Sequence, residues 1–440
     1  MTRGYTAIKL RPIVMIVCGV LAVLGFPACQ GKQNGSNASA SQASSGNAGS
    51  SVSNAALKLG IWDKNQEGGL TNVLREFTSE TGIKVSVEIT PWEQYWTLLE
   101  AAATGSTLPD VFWMHSNQVV RYSSNGMLLD LTDRIAKSTV ADISKFPKDL
   151  VDLYTYDSKH YAIPKDMDTI GLWYNKKMFD DAGLAYPDDT WTWDTLRETA
   201  RKLTTPEHYG FAATISNQET YYNFIFQNHG WVISEDKKKS GFDDPKTIEA
   251  IQFLVDMVQE GISPGLNITA ENPTAALFES GTVAMAYFGS WMLSELGSNE
   301  YVAANCDLTV LPSGRDGKRA SVYNGLGWVA SAGTPYPEES WKLLEFFSRQ
   351  DVQQKLSASG IAISAYTGTG NAWSAHNTKF NLKAYTDQIP IGVFYPFSKN
   401  AVVWHTMTDE QLRDAWNGTR PVNTVCNDIA QRMNQMLANE

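Results

Sequence analysis

Basic residues are in short supply in this chain. Its 440 residues include 36 Lys and Arg against 47 Asp and Glu, giving a formal net charge of −11. Three of the basic residues, Arg3, Lys9 and Arg11, lie before Cys29 with no acidic residue beside them, so a chain cut there carries −14. A polyanion needs a basic footprint on its partner, so we expect no binding of nucleic acid.

Long apolar runs are also lacking. The main one, Ile13 to Phe26, is 14 residues long and is interrupted only by glycine. A helix needs roughly 20 residues to cross a bilayer, so this run is too short for a span. Three basic residues precede it, which is typical of a cleaved secretory signal. We therefore predict a signal peptide over residues 1–28.

Cysteines number four, and two of them, Cys18 and Cys29, belong to the N-terminal region. The other two are Cys306 and Cys426. Export permits a disulfide between this pair without requiring one, and the sequence does not show whether their Cα atoms are near enough. A bridge and two buried free thiols both stay open.

Common catalytic motifs are absent: the sequence contains no HExxH, no GxSxG and no P-loop. The stretch GLGWVA from Gly325 is similar to a dinucleotide fingerprint, but Gly333, Pro335 and Pro337 follow where its helix would begin. A surface glycosidase stays open as an alternative, since carboxylates are abundant. We predict no catalytic residues, no metal site and no cofactor.

The junction at Cys29 resembles the lipobox of bacterial lipoproteins, in which the cysteine becomes the acylated N-terminus. Ala28 fits the position before cleavage, whereas Phe26 and Pro27 depart from the usual residues; an ordinary secretory signal cut nearby is the alternative. Multiple acyl chains anchor a protein stably, so this reading predicts a membrane anchor. Residues 30–54 are small and polar with Lys32 the only charge, which predicts a flexible linker spanning about 25–30 Å.

Beyond the linker the pattern alternates between strand and helix. The stretches ALKLGIWD, IKVSVEIT and PDVFWM predict strands, and GGLTNVLREFTSETG and WEQYWTLLEAAATG predict the helices between them. Strand–helix alternation is the signature of a parallel α/β sheet. Further along, Asp244 and Pro245 begin a helix that Gly261 ends. No repeat of fixed period is visible.

The order of segments resembles the extracellular solute-binding proteins of family 1, the capture subunits of ABC importers. The resemblance lies in LPDVFWM, YAIPKDMDTIGLWYNKKMFDDAGL, TWTWDTLRETARKLT, FESGTVAMAYFGSWM and PEESWKLLEFFSRQDVQQKLSASG. It implies an α/β fold of two discontinuous lobes around a central ligand cleft. Carried over, one lobe covers 56–167 plus 306–359 and the other 168–305 plus 360–440.

The resemblance also implies a carbohydrate ligand, an ABC permease as partner and a monomer on the outer face of the membrane; the same receptor fold with a non-sugar solute stays open. Sugars present C–H faces and hydroxyl edges, so aromatic rings and polar groups near strand ends are the candidates. Strand ends single out Trp62, Asp63, Trp113 and His115, and the paired acids Asp166 and Asp168 lie at the first crossing between lobes. The other predicted binding residues are Tyr95, which stands with Trp92 and Trp96 on the second helix, Tyr221, Trp291, Asn324 and Trp404.

Overall fold

The computed structural model describes residues 55–360 and 362–440. The predicted signal segment, the predicted lipidation site Cys29 and the predicted linker as far as residue 54 lie outside the described residues. Within them, none of the helices combines the length and the apolar character that crossing a membrane would need.

Over this part of the chain the strands are β1 (Ala56–Ile61), β2 (Lys84–Ile89), β3 (Val111–Met114), β4 (Thr155–Tyr156), β5 (Lys159–His160), β6 (Ala162–Pro164), β7 (Asp166–Met167), β8 (Ile170–Asn175), β9 (Met285–Gly289), β10 (Cys306–Thr309), β11 (Ser321–Tyr323), β12 (Gly327–Ala330), β13 (Ile363–Ser364) and β14 (Gly392–Phe394).

The first helices are α1 (Glu67–Thr81), α2 (Trp92–Thr104), α3 (Val119–Ser124), α4 (Thr132–Lys137), α5 (Lys148–Leu153), α6 (Lys176–Asp181), α7 (Trp193–Leu203), α8 (Tyr222–Gln227), α9 (Pro245–Gln259) and α10 (Leu266–Thr269). The remaining ones are α11 (Thr274–Glu279), α12 (Leu293–Ser298), α13 (Glu300–Asn305), α14 (Pro337–Phe347), α15 (Gln350–Ala358), α16 (Asn371–His376), α17 (Lys383–Thr386), α18 (Ala401–Trp416) and α19 (Val422–Leu437).

Local sequence signals explain where the best-defined helices begin and end. Helix α1 ends at Gly82, which has φ of +74° and so takes the left-handed conformation that glycine adopts at low cost. Helix α9 begins after Asp244, whose side chain accepts hydrogen bonds from the backbone N–H groups of Lys246 and Thr247. Both ends confirm the sequence prediction.

Two sheets organise the fold. The larger has the order β2-β1-β3-β12-β6, with β1 parallel to both β2 and β3, as predicted. Strand β12 pairs antiparallel with β3 and β6, so the sheet is mixed rather than wholly parallel. The smaller sheet has the order β10-β8-β9, with both pairings antiparallel.

The smaller sheet is buried on both faces, which separates two hydrophobic cores. Trp173 of β8 belongs to a core shared with the larger sheet, where Leu59 and Trp328 lie. The next residue back, Leu172, points into a second core with Phe253 of α9 and helices α18 and α19. Because successive strand residues face opposite sides, β8 supplies both cores in turn.

Strand β10 bears on one predicted lobe limit. Residues 306–359 were assigned to the first lobe, whereas β10 pairs with β8, a strand assigned to the second lobe, from Cys306↔Asn175 to Thr309↔Leu172. Leu311 and Val322 lie in the second core. The lobe limits stay predictions.

The cysteine question is resolved within the described residues. Cys306 and Cys426 are both free and buried, and they belong to different cores. Of the two alternatives left open by the sequence, the structure has free thiols.

Candidate functional site

Two short segments, 165–168 and 324–326, lie side by side; we call them the crossing strands. The first connects β6 of the larger sheet to β8 of the smaller one, and the second connects β11 to β12. The N–H of Lys165 donates to the carbonyl of Leu326 at 2.7 Å, and the N–H of Asp168 donates to the carbonyl of Asn324 at 3.0 Å. Bonds in the other direction go to side chains. The N–H of Leu326 donates to Asp166 Oδ1 at 2.8 Å, and that of Asn324 to Asp168 Oδ1 at 3.1 Å.

Asp166 is therefore committed to the protein. It is 7% exposed and forms a buried ion pair with the neighbouring Lys165. The Lys165 ammonium also donates to Gln66 Oε1 at 3.0 Å and lies 4.3 Å from the centre of a Trp113 ring. A charge buried this way is stable only when paired, so the pair fixes this end of the crossing strands.

Asp168 makes a second link. Its Oδ1 atom accepts a hydrogen bond from Gln218 Nε2 at 2.7 Å in addition to the bond from Asn324. Burial, reinforced by the nearby charge of Asp166, raises the pKa of Asp168 well above its ordinary value. Asn324 in turn places its Nδ2 atom 3.2 Å from His115 Nε2.

Five aromatic residues on the larger-sheet side form what we call the tryptophan cluster: Trp62, Trp92, Tyr95, Trp96 and Trp113. The Trp62 ring is its centre, at 5.2, 5.0, 5.9 and 5.0 Å from the rings of Trp92, Tyr95, Trp96 and Trp113, in that order. Most of these pairs meet edge to face, an arrangement favoured by the ring quadrupole.

Helix geometry explains the exposed side of this cluster. Trp92 and Trp96 are four residues apart at the start of α2, so they share one helix face. Trp62 follows β1 directly. Trp92 remains 39% exposed, while Trp62 and Trp96 are half-buried. These three indoles, not the whole cluster, can offer surface to a ligand.

The other two members are packing residues in this structure, against prediction. Trp113 lies inside β3 rather than after it and is 1% exposed. The cavity that it borders has a volume of about 10 Å³, room for a single water and not for a sugar ring. Tyr95 is 2% exposed, and its hydroxyl donates to the carbonyl oxygens of Trp113 at 3.0 Å and Gly60 at 3.3 Å.

Asp63 and His115 lie beside the cluster and are half-buried. Asp63 caps a short turn, accepting from Asn65 N and from Gln66 Nε2, both at 2.9 Å. His115 lies 5.5 Å from the Trp92 ring. Burial lowers the pKa of His115 to about 4, so its imidazole is neutral at physiological pH and can accept as well as donate.

Trp291 stands on the smaller-sheet side, just after β9, and is half-buried. Its ring lies over Gly289, where an added Cβ would meet ring atoms at 2.1 Å. Only glycine therefore permits this ring position. The N–H of Gly289 donates to Glu219 Oε1 at 3.2 Å, which places a carboxylate beside the indole.

Glu219 belongs to a π-helical turn, Asn217–Tyr221, which precedes α8. Such turns are rare and often mark functional sites. Glu219 as a whole is half-buried. Burial of its carboxylate raises the pKa of this group to about 7. The sequence prediction passed over it, because no spacing within NQETYY distinguishes this acid from a solvated one.

Tyr221 and Trp404 lie in the second core, each 0% exposed, so the ring-stacking roles predicted for them find no support in this conformation. The Tyr221 hydroxyl donates to Asp409 Oδ1 at 2.6 Å, and Trp404 Nε1 donates to Ser398 Oγ at 2.8 Å. Asn324, 1% exposed, belongs to the crossing strands. Trp404 lies on α18, and the same helix carries Asp409, the partner of Tyr221, a contact that sequence spacing does not reveal.

A continuous series of contacts joins the two sides. His115 faces Trp92 and also lies 6.0 Å from the ring of Tyr395. The Tyr395 hydroxyl donates to Asn217 Oδ1 at 3.0 Å, in the turn that carries Glu219. The structure thus brings Trp62, Asp63, His115, Asp168 and Trp291 around the crossing strands.

Comparison with known proteins decides the family. The sequence profile of the bacterial extracellular solute-binding proteins matches residues 62–354. This chain belongs to that family. The family consists of extracellular receptors for solutes, and its solved members share the two-lobe α/β fold.

Several relatives of this solute-binding protein have descriptive names. A galactooligosaccharide-binding protein of Bacillus subtilis is 24% identical over 355 residues, covering 78% of this chain and 75% of the relative. A putative binding protein of Brucella abortus is 22% identical over 372 residues, covering 83% of this chain and 89% of the relative.

Solved structures share the fold. An ABC substrate-binding protein of Listeria monocytogenes in complex with cycloalternan superposes with a TM-score of 0.80 at 22% identity, covering 87% of this chain and 99% of that one. The sugar-binding protein MalE of Xanthomonas citri gives 0.72 at 20% identity, covering 87% and 98%. At these identities the similarity establishes the fold. The ligand has to be inferred from the residues of the site.

Proposed function

We propose that this solute-binding protein captures a carbohydrate, most suitably an oligosaccharide, between its lobes and presents it to the membrane subunits of an ABC importer. The observation that carries the proposal is that indoles lie on both sides of the crossing strands. Trp62, Trp92 and Trp96 lie on one side, and Trp291 with Glu219 on the other.

This pairing of groups suits the chemistry of a sugar. Flat indoles cover the apolar C–H faces of pyranose rings, and carboxylates accept hydrogen bonds from hydroxyl edges. Glu219 lies beside the Trp291 indole. One sugar unit can therefore stack on this ring and donate a hydroxyl hydrogen bond to the carboxylate. The larger-sheet side holds three indoles, with ring centres 5.2, 5.9 and 5.6 Å apart, so it offers more than one apolar contact, which favours a ligand of several units.

Names of relatives support the same class of ligand. The Bacillus subtilis relative is called a galactooligosaccharide-binding protein, a Pyrococcus abyssi relative is called a maltotriose-binding protein, and the Listeria structure holds cycloalternan. All three names refer to oligosaccharides, although they differ in sugar and linkage. The match in class strengthens the proposal, while the specific sugar is for experiment to decide.

Binding without catalysis is the expected mode of action. A glycosidase needs two carboxylates flanking the scissile bond, one as acid and one as base or nucleophile. Asp63, Asp166 and Asp168 already accept hydrogen bonds from the protein, which leaves Glu219 without a partner acid among them. We propose that the protein acts by lobe closure instead. A ligand that contacts both lobes binds the closed state more tightly than the open state and so favours closure.

The proposed location rests on the sequence of the N-terminal region. Acylation of Cys29 would anchor a monomer at the outer face of the membrane, with the linker allowing it to reach its permease. Cys29→Ser should move the protein from the membrane fraction to the soluble fraction. Retention of Cys29→Ser in the membrane fraction would contradict lipid anchoring.

Titration calorimetry tests the ligand class. The protein is titrated with a panel of mono- and oligosaccharides and, in parallel, with a polyamine, a peptide and a metal chelate. We expect saturable heat from at least one oligosaccharide and none from the non-sugars. Tight binding of a non-sugar with silence across the sugars would contradict the proposal. Chromatography of the incubated sugars detects cleavage, which would point to the glycosidase instead.

A further inference from the structure

The carboxylate of Asp168 uses only one of its two oxygens to hold the protein. Its Oδ1 atom accepts hydrogen bonds from Gln218 Nε2 at 2.7 Å and from the N–H of Asn324 at 3.1 Å. Its Oδ2 atom accepts none from the residues that the structure describes, and the side chain is half-buried rather than enclosed. This oxygen is therefore left for a donor that the protein does not supply.

Asn324 adds a second unused acceptor beside the first. Asn117 Oδ1 lies 2.8 Å from His115 Nδ1, so this ring nitrogen carries the proton and donates. His115 Nε2 then accepts from Asn324 Nδ2 at 3.2 Å, which fixes the orientation of the amide. Asn324 is 1% exposed, and its Oδ1 atom has no hydrogen-bond partner within the described part of the chain. A buried acceptor left this way costs stability until a donor reaches it.

Glu219 places a third acceptor next to an indole. It follows Gln218, the residue bound to Asp168, and its carboxylate accepts from the N–H of Gly289, on which the Trp291 ring lies. The charge of Glu219 contributes to the raised pKa of Asp168, so the two carboxylates share one electrostatic environment. The acceptors are thus continuous with the aromatic surface on the smaller-sheet side.

No base balances these acceptors. Lys165 is committed to its ion pair with Asp166, and His115 is neutral because burial lowers its pKa to about 4. Among the described residues, neither Asp168 nor Glu219 forms an ion pair with Lys, Arg or His. A sugar hydroxyl would bring further lone pairs and no charge, whereas an ammonium brings three donors, one positive charge and no acceptor.

We propose that the carbohydrate captured by this receptor carries a protonated amino group, which lies among the acceptor oxygens of Asp168, Glu219 and Asn324 while the C–H face of the same sugar unit stacks on Trp291. This inference rests on the proposed function, because it names the chemical class of the sugar in that site. The positive charge adds to ring stacking and does not replace it, so a polyamine, which has no sugar ring, should not bind.

Matched sugars isolate the effect of the charge. Trimers of β-1,4-linked glucose, glucosamine and N-acetylglucosamine carry a hydroxyl, an ammonium or a neutral amide at the same carbon, and glucose with glucosamine and galactose with galactosamine are compared as monosaccharides. In calorimetry at pH 7 and low salt, we expect the amino form of at least one set to bind about tenfold to a hundredfold more tightly than its hydroxyl form. The N-acetyl form should bind no better than the hydroxyl form, and added salt should narrow the difference.

Two substitutions test the acceptors directly. Asp168→Asn and Glu219→Gln each remove a charge and keep the size of the side chain, so the affinities for amino and hydroxyl forms should converge to within about threefold. Asp188→Asn is the matched control, since Asp188 is an exposed aspartate that accepts local bonds from Thr190, and it should keep the full preference. Thermal unfolding verifies folding, and Glu219→Gln keeps the test available if Asp168→Asn does not fold.

The outcomes separate this inference from the proposed function. A hydroxyl sugar that binds as tightly as its amino form, or any neutral sugar that binds while the amino sugars are silent, would overturn the inference and leave the proposed function standing. A preference for the amino form that persists in both Asp168→Asn and Glu219→Gln would also overturn it. Tight binding of the polyamine with silence from every sugar would contradict both.

Discussion

The two aromatic surfaces of the site are built in different ways. On the larger-sheet side the tryptophan cluster is self-supporting, because Trp62 packs against four other rings. On the smaller-sheet side a single indole, Trp291, lies over a glycine that Glu219 holds by its backbone. Substitutions on the larger-sheet side should therefore lower both ligand affinity and stability, whereas substitution of Trp291 should lower affinity alone.

Removing the centre of the cluster should have the largest effect. Trp62→Ala deletes a ring that contacts four neighbours, so we expect the free energy of unfolding to fall by on the order of 3 kcal/mol, with ligand affinity lost as well. Chemical denaturation and calorimetry measure the two quantities. A loss of stability below about 1 kcal/mol would mean that the cluster does not support itself.

Removing the single indole should affect binding alone. Trp291→Ala should weaken sugar affinity more than tenfold, equivalent to about 1.4 kcal/mol, while the free energy of unfolding changes by about 1 kcal/mol or less. Trp231→Ala is a matched control, because Trp231 is also half-buried over a glycine, Gly241, with ring atoms 2.5 Å from an added Cβ. Equal losses of affinity in Trp291→Ala and Trp231→Ala would mean that Trp291 has no specific role in binding.

Protonation of Glu219 should modulate only the smaller-sheet side. Burial raises its pKa to about 7, and an ionised carboxylate accepts hydroxyl hydrogen bonds more strongly than a neutral one. Affinity should therefore rise about threefold to tenfold between pH 6 and pH 8, and Glu219→Gln should remove most of this dependence.

Asp409 provides the control for this pH profile. Its pKa is also raised to about 7 by burial, but it bonds Tyr221 in the second core. Asp409→Asn should leave the pH dependence of affinity in place. A flat profile in the parent protein, or an unchanged slope in Glu219→Gln, would contradict the role assigned to Glu219.

The smallest effect is expected from a reducing agent. Cys306 and Cys426 are free and lie in separate cores. No disulfide therefore joins the two cores through this pair. A reductant should leave the thermal midpoint of unfolding unchanged. A fall in this midpoint on reduction would mean that a bridge between these two cysteines forms and stabilises the fold.

The sequence predicted best what depends on neighbouring residues. Helix α9 follows from Asp244, Pro245 and the spacing of its apolar residues, and the presence of α2 follows in the same way, although Tyr95 was chosen on it and is buried. Fold and family were also predictable, because they depend on the order of many segments and not on one contact.

Long-range contacts account for what the sequence missed. The partners of Asp166 and Asp168 on the second crossing strand lie 160 and 156 residues away, so each of the two acids binds backbone through one carboxylate oxygen. Tyr221 is buried in the second core. Its hydroxyl donates a hydrogen bond to Asp409 of α18, which is 188 residues away in the sequence. Pairing of β10 with β8 likewise joins two strands that the family resemblance assigned to different lobes.

The buried thiols have a practical consequence. Burial raises the pKa of both Cys306 and Cys426 to about 12, and thiols alkylate through their thiolate form. With Cys29 replaced by serine, a cysteine introduced at an exposed position such as Val403, 54% exposed on α18, would outcompete both for a maleimide dye. A fluorophore could therefore be attached at one chosen position of the folded protein without labelling either native thiol.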